Sequence, residues 1–89
     1  MIETDTLINY LLPSNDSPEP LYKQLSRSLH NAIQQGMLNP GDSLIPEREL
    51  AHKLSLSRIT IRKAIDQLVD IGVLQKHHGA GTVVSDNVD

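Results

Sequence analysis

Apolar residues recur at helical spacing in three separate stretches of the chain. The first stretch ends just before Gly36, a residue suited to the left-handed position that follows many helices. The second follows Pro46, which favours a helix start because its missing N–H needs no partner there. The third follows Ser57, whose hydroxyl can cap a helix N-terminus, and ends at Gly72. The pattern predicts three helices, whose apolar faces are Leu21, Leu25, Leu29, Ala32 and Ile33; Leu50, Ala51 and Leu54; and Ile61, Ala64, Ile65, Leu68 and Val69.

The segments between and after these helices predict how they are connected. Residues 39–42, Asn-Pro-Gly-Asp, are a turn signal, because Pro fixes φ and Gly tolerates positive φ. The second and third helices are separated by a few residues, as in a helix-turn-helix. Residues 73–84 carry β-branched residues on both sides of Gly79-Ala80-Gly81, which predicts a β-hairpin. The predicted fold class is therefore mainly α with a small β-hairpin wing: a winged helix-turn-helix of three helices plus the wing.

The beginning of the chain differs in composition from the remainder. Residues 1–19 carry four acids, no Lys or Arg, and a final run rich in Pro and Ser. This composition predicts a flexible acidic N-terminal arm, with folding beginning near Leu21. Because 89 residues of which 38% are hydrophobic can build only one small core, a single domain is expected over residues 20–85.

Several features of the sequence bear on the cellular location of the protein. It has no cysteine, its first residues are acidic where a secretory signal would be basic, and no apolar run approaches the roughly 20 residues that span a bilayer. These features predict a cytoplasmic protein with no membrane partner.

The formal net charge of −3 at pH 7 is unfavourable for binding phosphates, but the charge is unevenly distributed. Residues 44–81 contain six bases and four acids, a balance of +2, together with three histidines. The predicted helix-turn-helix and wing are therefore the basic part of the chain.

Arg58 and Arg62 lie four residues apart at the start of the third helix, so both project from one side of it. The arginine fork bonds bidentately to guanine O6 and N7 or to phosphate oxygens, and the first turn of a recognition helix enters the major groove. The pair predicts base contacts in double-stranded DNA; the alternative is an ordinary solvated helix face. Ser57 and Thr60 are further candidates, and the Thr60 hydroxyl suits a phosphate contact and a helix cap equally well.

Two other groups are candidate DNA contacts. Arg48 can reach the DNA from the second helix, with Glu47 and Glu49 as competing ion-pair partners. In the wing, Lys76 and His78 lead to Gly79, and a tip without a β-carbon can lie close to the minor groove while cations meet phosphates. The alternative for the wing is an ordinary tight hairpin.

Other chemistries find little support in the sequence. His77 and His78 point to opposite faces of a strand and have no third ligand nearby, so no metal or other cofactor is expected. No nucleophile elbow, H-E-x-x-H motif or phosphate-binding loop is present, so no enzyme is expected. Two tyrosines, without Phe or Trp, provide few stacking platforms for single strands, and Tyr22 is expected to pack within the first helix.

Five motifs in order resemble the N-terminal DNA-binding domain of GntR-family transcription regulators. They are Pro-Leu-Tyr-Lys-Gln-Leu at 20–25, Gly-Met-Leu-Asn-Pro-Gly-Asp at 36–42, Glu-Arg-Glu-Leu-Ala at 47–51, Ser-Arg-Ile-Thr-Ile-Arg at 57–62 and Gly-Ala-Gly-Thr at 79–82. The stretch 57–65 is most similar to the HutC-type subfamily. The resemblance implies DNA contacts by Arg48, Arg58, Thr60, Arg62, His78 and Gly79.

The resemblance also implies a homodimer on a pseudo-palindromic operator, repression more often than activation, and a small-molecule effector bound by a C-terminal domain. Residues 86–89 are expected to begin the linker to that domain, which is absent here; the chain is then a fragment or a truncated protein. Compared with the family pattern, Ile45 replaces a proline, Ser55 a glycine and His77 an arginine. Positive φ at Ser55 would cost on the order of 1 kcal/mol. The alternative function is a winged-helix protein-interaction module, which the negative net charge favours.

Overall fold

The computed structural model describes residues 3–14, 16–77, 79 and 81–85. In chain order its elements are α1 (Thr4–Leu11), α2 (Leu21–Gln34), α3 (Glu47–Leu54), α4 (Arg58–Asp70), β1 (Leu74–His77) and β2 (Gly81–Val84). The predicted fold class, mainly helical with a two-stranded wing, is confirmed. The described residues form one helix more than the three that the apolar pattern predicted.

The additional helix, α1, corrects the prediction for the start of the chain. Leu7, Ile8 and Leu11 lie on one side of it and join the core, and Leu11 is fully buried. They pack where α1 contacts α2 and α3. The expectation that residues 1–19 form a flexible arm and that folding begins near Leu21 is therefore wrong for residues 4–11. Acidic composition does not exclude a helix here, because Leu7, Ile8 and Leu11 recur at helical spacing and Asp5 lies in the first turn, where the helix dipole favours a negative charge.

A buried amide fixes the chain between α1 and α2. Gln24 is only 6% exposed. Its Oε1 accepts a hydrogen bond from the Ser14 N–H at 2.9 Å, and its Nε2 donates to the Glu19 carbonyl at 2.9 Å. Because both ends of the amide are paired, its burial carries no unsatisfied polar group, and the segment leading from α1 is held against α2.

The centre of the domain is the packing of α4 against α2 and α3. Leu25 and Leu29 of α2 belong to the same buried cluster as the apolar face of α4. Four of the five predicted residues of that face are buried, namely Ile61, Ala64, Ile65 and Leu68, and Val69 is partly buried. Leu50 and Leu54 of α3 complete the cluster. One face of α4 is thereby fixed in the core, and the opposite face is left to the surface.

The predicted helix ends are mostly confirmed. Ser57 caps α4, its Oγ accepting a hydrogen bond from the Thr60 N–H at 3.1 Å. Gly36 and Gly72 follow α2 and α4 with φ of +82° and +83°. Pro46, expected as the first helical residue, is the N-cap of α3 instead, and the helix begins at Glu47.

The wing is an antiparallel hairpin anchored to the body by its inner end. Leu74 pairs with Val84 there, and both are buried, whereas His77 pairs with Gly81 near the tip. The chain after the predicted 39–42 turn, where the Asp42 N–H donates to the Asn39 carbonyl, runs beside β2. The Leu44 N–H donates to the Thr82 carbonyl at 2.8 Å, and the Val84 N–H donates to the Asp42 carbonyl at 2.8 Å. These bonds fix the wing next to the start of α3.

The turn between α3 and α4 contains the left-handed serine that the sequence suggested. Ser55 has φ 56° and ψ 41°, and it is exposed. We expect Ser55→Gly to raise the free energy of unfolding by about 0.5–1 kcal/mol, because relief of left-handed strain exceeds the added entropy of the unfolded chain. Urea unfolding measures the change. Ser28→Gly, inside α2, is the matched control and should lower stability by about 0.5–1 kcal/mol. A loss of stability in Ser55→Gly would contradict the strain.

Candidate nucleic-acid interface

The outward face of α4 carries a cluster of cations. Because successive helical residues are rotated by about 100°, burial of Ile61 and Ile65 turns Arg62 and Lys63 toward the surface. Arg58 starts the helix and is exposed as well. The structure thus places both predicted base-contacting arginines at the accessible N-terminal end of α4.

Arg58 and Arg48, the candidate on α3, line the same open groove. The groove has a volume of about 850 Å³ and runs between the starts of α3 and α4 and the first residues of β2. Among the residues described, no ion pair engages Arg48, so neither Glu47 nor Glu49 competes for it in the way the sequence suggested. The groove is lined by Leu44, Ile45, Pro46, Glu47, Arg48, Glu49, His52, Arg58, Gly81 and Thr82.

A second groove, of about 440 Å³, brings Arg62 together with Lys76 of the wing. Both cations have carboxylate partners. Arg62 Nη2 lies 3.5 Å from Glu47 Oε1, and Lys76 Nζ lies 2.5 Å from Asp66 Oδ1. Glu47 and Thr82 line both grooves, so the two form one continuous surface from α3 across α4 to the wing.

Glu47 is the residue whose position the sequence did not reveal. The sequence offers it as an ion-pair partner of Arg48, yet its carboxylate pairs with Arg62, fifteen residues away on another helix. Spacing within one helix predicts contacts at three or four residues but not those between helices. Glu47 and Arg62 pair because α3 and α4 pack against each other.

The two hydroxyls at the start of α4 bond to each other. Ser57 Oγ and Thr60 Oγ1 are 2.9 Å apart, and Ser57 Oγ also accepts from the Thr60 N–H. Ser57 is therefore the capping residue, and the Thr60 hydroxyl bonds to the Ser57 hydroxyl rather than to a backbone group. Ser57 is exposed and Thr60 half-buried, so both remain next to the surface that carries Arg58.

The wing tip is open. Gly79 is exposed with φ +77°, and a Cβ added there would meet no atom within 4 Å. The backbone conformation, rather than any protein neighbour, therefore favours glycine at this position. His77 is exposed, with its Nε2 3.4 Å from Gln75 Oε1. The predicted contact residue His78 lies outside the described residues.

Tyr22 packs against the core from α2, as the sequence predicted. The ammonium group of Lys63 lies over its ring, 5.5 Å from the centroid. This cation–π contact draws Lys63 toward α2, whereas Arg62 lies beside the wing.

No group of three or more potential metal ligands occurs in the described part of the chain. Nor is any helix in that part long and apolar enough to cross a membrane.

The sequence of residues 21–84 matches the family model for bacterial regulatory proteins of the gntR family. The chain belongs to the GntR family. Relatives include the transcriptional repressor NagR of Bacillus subtilis, 40% identical over 72 residues, which cover 81% of this chain and 30% of NagR. The mannosyl-D-glycerate transport/metabolism system repressor MngR of Escherichia coli is 38% identical over 68 residues, or 76% of this chain and 28% of MngR. The chain thus spans less than a third of these relatives.

Solved GntR structures share the fold. YtrA from Sulfolobus acidocaldarius, a GntR-family transcription factor, superimposes with a TM-score of 0.81 at 34% identity, covering 88% of this chain and 83% of YtrA. The DNA-binding domain of AraR in complex with operator ORX1 superimposes with a TM-score of 0.74 at 37% identity, covering 82% of this chain and 88% of that domain. The GntR chain described here is therefore a winged-helix DNA-binding domain of the transcription-regulator class, and its family and these relatives are regulators rather than enzymes.

Proposed function

We propose that this GntR domain binds an operator with α4 in the major groove, Arg58 and Arg62 on base edges, and the wing along the minor groove. The observation that carries the proposal is the continuous surface on which Arg48, Arg58, Arg62 and Lys76 are collected from three elements. A helix whose N-terminal arginines are exposed, and whose opposite face is buried, has the geometry that major-groove recognition requires.

The remaining candidates serve as phosphate contacts in this proposal. Arg48 lines the groove that contains Arg58, and Lys76 lines the groove that contains Arg62, so each can contact the DNA backbone when α4 lies in the major groove. Ser57 and Thr60 present hydroxyls at the helix start, and the tip residues His78 and Gly79 approach the minor groove. These contacts fix the position of the domain, whereas Arg58 and Arg62 select the sequence.

The proposal extends to the assembly. Two copies occupy the halves of a pseudo-palindromic operator and repress transcription, in a regulator whose effector domain, responsive to a small molecule, lies outside this chain. NagR and MngR, both named repressors, support this extension, and each is over three times as long as its match here. The stretch 57–65 supports the HutC-like subfamily. We also infer a cytoplasmic location and no enzymatic activity.

Selection from a random pool of duplexes tests the proposal. The 89-residue chain should enrich a short half-site, and inverted pairs of that half-site should outcompete single copies. In the enriched pairs we expect half-site centres about 10 base pairs apart, or multiples of that spacing, because equivalent faces of B-DNA recur with each helical turn. The double variant Arg58→Ala/Arg62→Ala is the control and should enrich nothing. Equal recovery of all sequences by the unmodified chain would refute operator binding and favour the protein-interaction alternative.

A further inference from the structure

One apolar side chain lies among the cations of α4 and has no role in the surface described so far. Ile59 is 70% exposed, more than any other large hydrophobic residue in the described part of the chain. Single exposed hydrophobics are common on protein surfaces and need no explanation by themselves. The position of Ile59, between Arg58 and Arg62, is what distinguishes it from Ile71, which is 61% exposed beyond the end of the same helix.

Helix geometry places Ile59 at the centre of the outward face. The buried residues of α4 are Ile61, Ala64, Ile65 and Leu68, and rotation by about 100° per residue puts Ile59 almost opposite the middle of that set. Arg62 and Lys63 follow it by three and four positions and flank it on the same face. If α4 enters a groove by its N-terminal turn, Ile59 is the side chain that points most directly at the groove floor.

Asp66 limits how much of α4 can enter the groove. It lies seven residues after Ile59 on the same face, about 10 Å further along the helix axis. Its carboxylate pairs with Lys76 of the wing, at the edge of the second groove. A carboxylate is repelled by phosphates, so close contact is restricted to the first turns of α4, the part that contains Ile59.

We infer that Ile59 is a specificity-determining residue that packs on the 5-methyl group of a thymine next to the base contacted by Arg62. The inference rests on the proposed operator binding. Among the groups that distinguish the base pairs in the major groove the thymine methyl is the apolar one, whereas the others are hydrogen-bond donors and acceptors that a branched aliphatic side chain cannot satisfy. An isoleucine at the groove floor therefore selects for thymine and leaves cytosine, whose amino group it cannot pair, at a disadvantage.

Removal of single methyl groups from the DNA tests this inference. Each thymine of the selected half-site is replaced in turn by deoxyuridine, which lacks only the methyl group, and dissociation constants are measured for the unmodified chain, Ile59→Ala and Ile71→Ala. We expect one deoxyuridine position to weaken binding by the unmodified chain about fourfold, the effect of exposing one buried carbon. Ile71→Ala should show the same loss, and Ile59→Ala should show none at that position.

The outcomes separate this inference from the proposal on which it depends. A half-site without thymine, or deoxyuridine effects that are identical in the unmodified chain and Ile59→Ala, would overturn the role of Ile59 while leaving operator binding intact. Absence of any sequence preference in the unmodified chain would overturn both. A loss that disappears only in Ile59→Ala supports a direct contact, because a merely structural effect of the substitution would change affinity for all duplexes together.

Discussion

Arg58→Ala and Arg62→Ala should each remove most of the preference of the domain for its operator over random duplex DNA. Each substitution deletes a bidentate fork at the exposed start of α4, and one bidentate base contact accounts for about 1–3 kcal/mol of discrimination. Titration of specific and random duplexes with each variant gives the two affinities whose ratio is needed. Folding should change little, because the ion pair between Arg62 and Glu47 is a surface contact that contributes at most about 1 kcal/mol.

Lys76→Ala is the matched control for these two variants. Lys76 lies on the wing rather than on α4, so its loss should weaken specific and random duplexes equally. The salt slope of binding should fall by less than about 1, because Asp66 already pairs with Lys76. Equal losses on both kinds of duplex for all three variants would show that the α4 arginines contact phosphates rather than bases.

Leu11→Ala should lower the free energy of unfolding by about 2–5 kcal/mol, the usual cost of removing a fully buried leucine side chain from a core. Leu11 is 0% exposed and joins α1 to the packing of α2 and α3. Urea unfolding measures the loss. In a small domain of marginal stability, a change of this size is a large part of the total.

Leu12→Ala provides the comparison for Leu11→Ala. Leu12 is adjacent in sequence but 49% exposed and outside the core, so its truncation should change stability by less than about 0.5 kcal/mol. If residues 1–19 behaved as the flexible arm that their composition suggested, both variants would be equally stable. Sequence preference should survive in both, because neither residue lines the grooves beside α4.

Local signals in the sequence were sufficient for most of the fold. The apolar periods of α2 and α4, the Ser57 cap and Gly72 each depend on residues within one turn of one another. The structure has them as predicted, except that Leu21 is exposed and Val69 is only partly buried. Even the positive φ of Ser55 could be predicted from the sequence, because the family has glycine at this position. Helix α1 was missed because eight residues contain only one short apolar repeat, and its stability depends on docking against α2 and α3.

The candidate site was predictable in its residues but not in its contacts. The arginines and the wing lysine follow from spacing within single elements, so the sequence placed them correctly on α3, α4 and β1. The pairing of Glu47 with Arg62 and of Asp66 with Lys76 depends on how two elements cross, which no local pattern encodes. The high exposure of Ile59 likewise becomes evident only when the buried face of α4 is known, because that face fixes the rotation of the helix.

The carboxylates of Glu47 and Asp66 have a consequence for how the domain searches for its site. Arg62 and Lys76 already carry their own counter-ions, covalently attached to the protein and unable to diffuse away. When these cations meet DNA, they exchange one anion for another, and the gain from neutralising the backbone is smaller than their number suggests. The affinity for random DNA, which offers only phosphate contacts, depends entirely on this reduced gain. The operator keeps the base contacts of the arginine forks in addition, so the attached acids make the sequence-specific contacts a larger share of its total binding free energy.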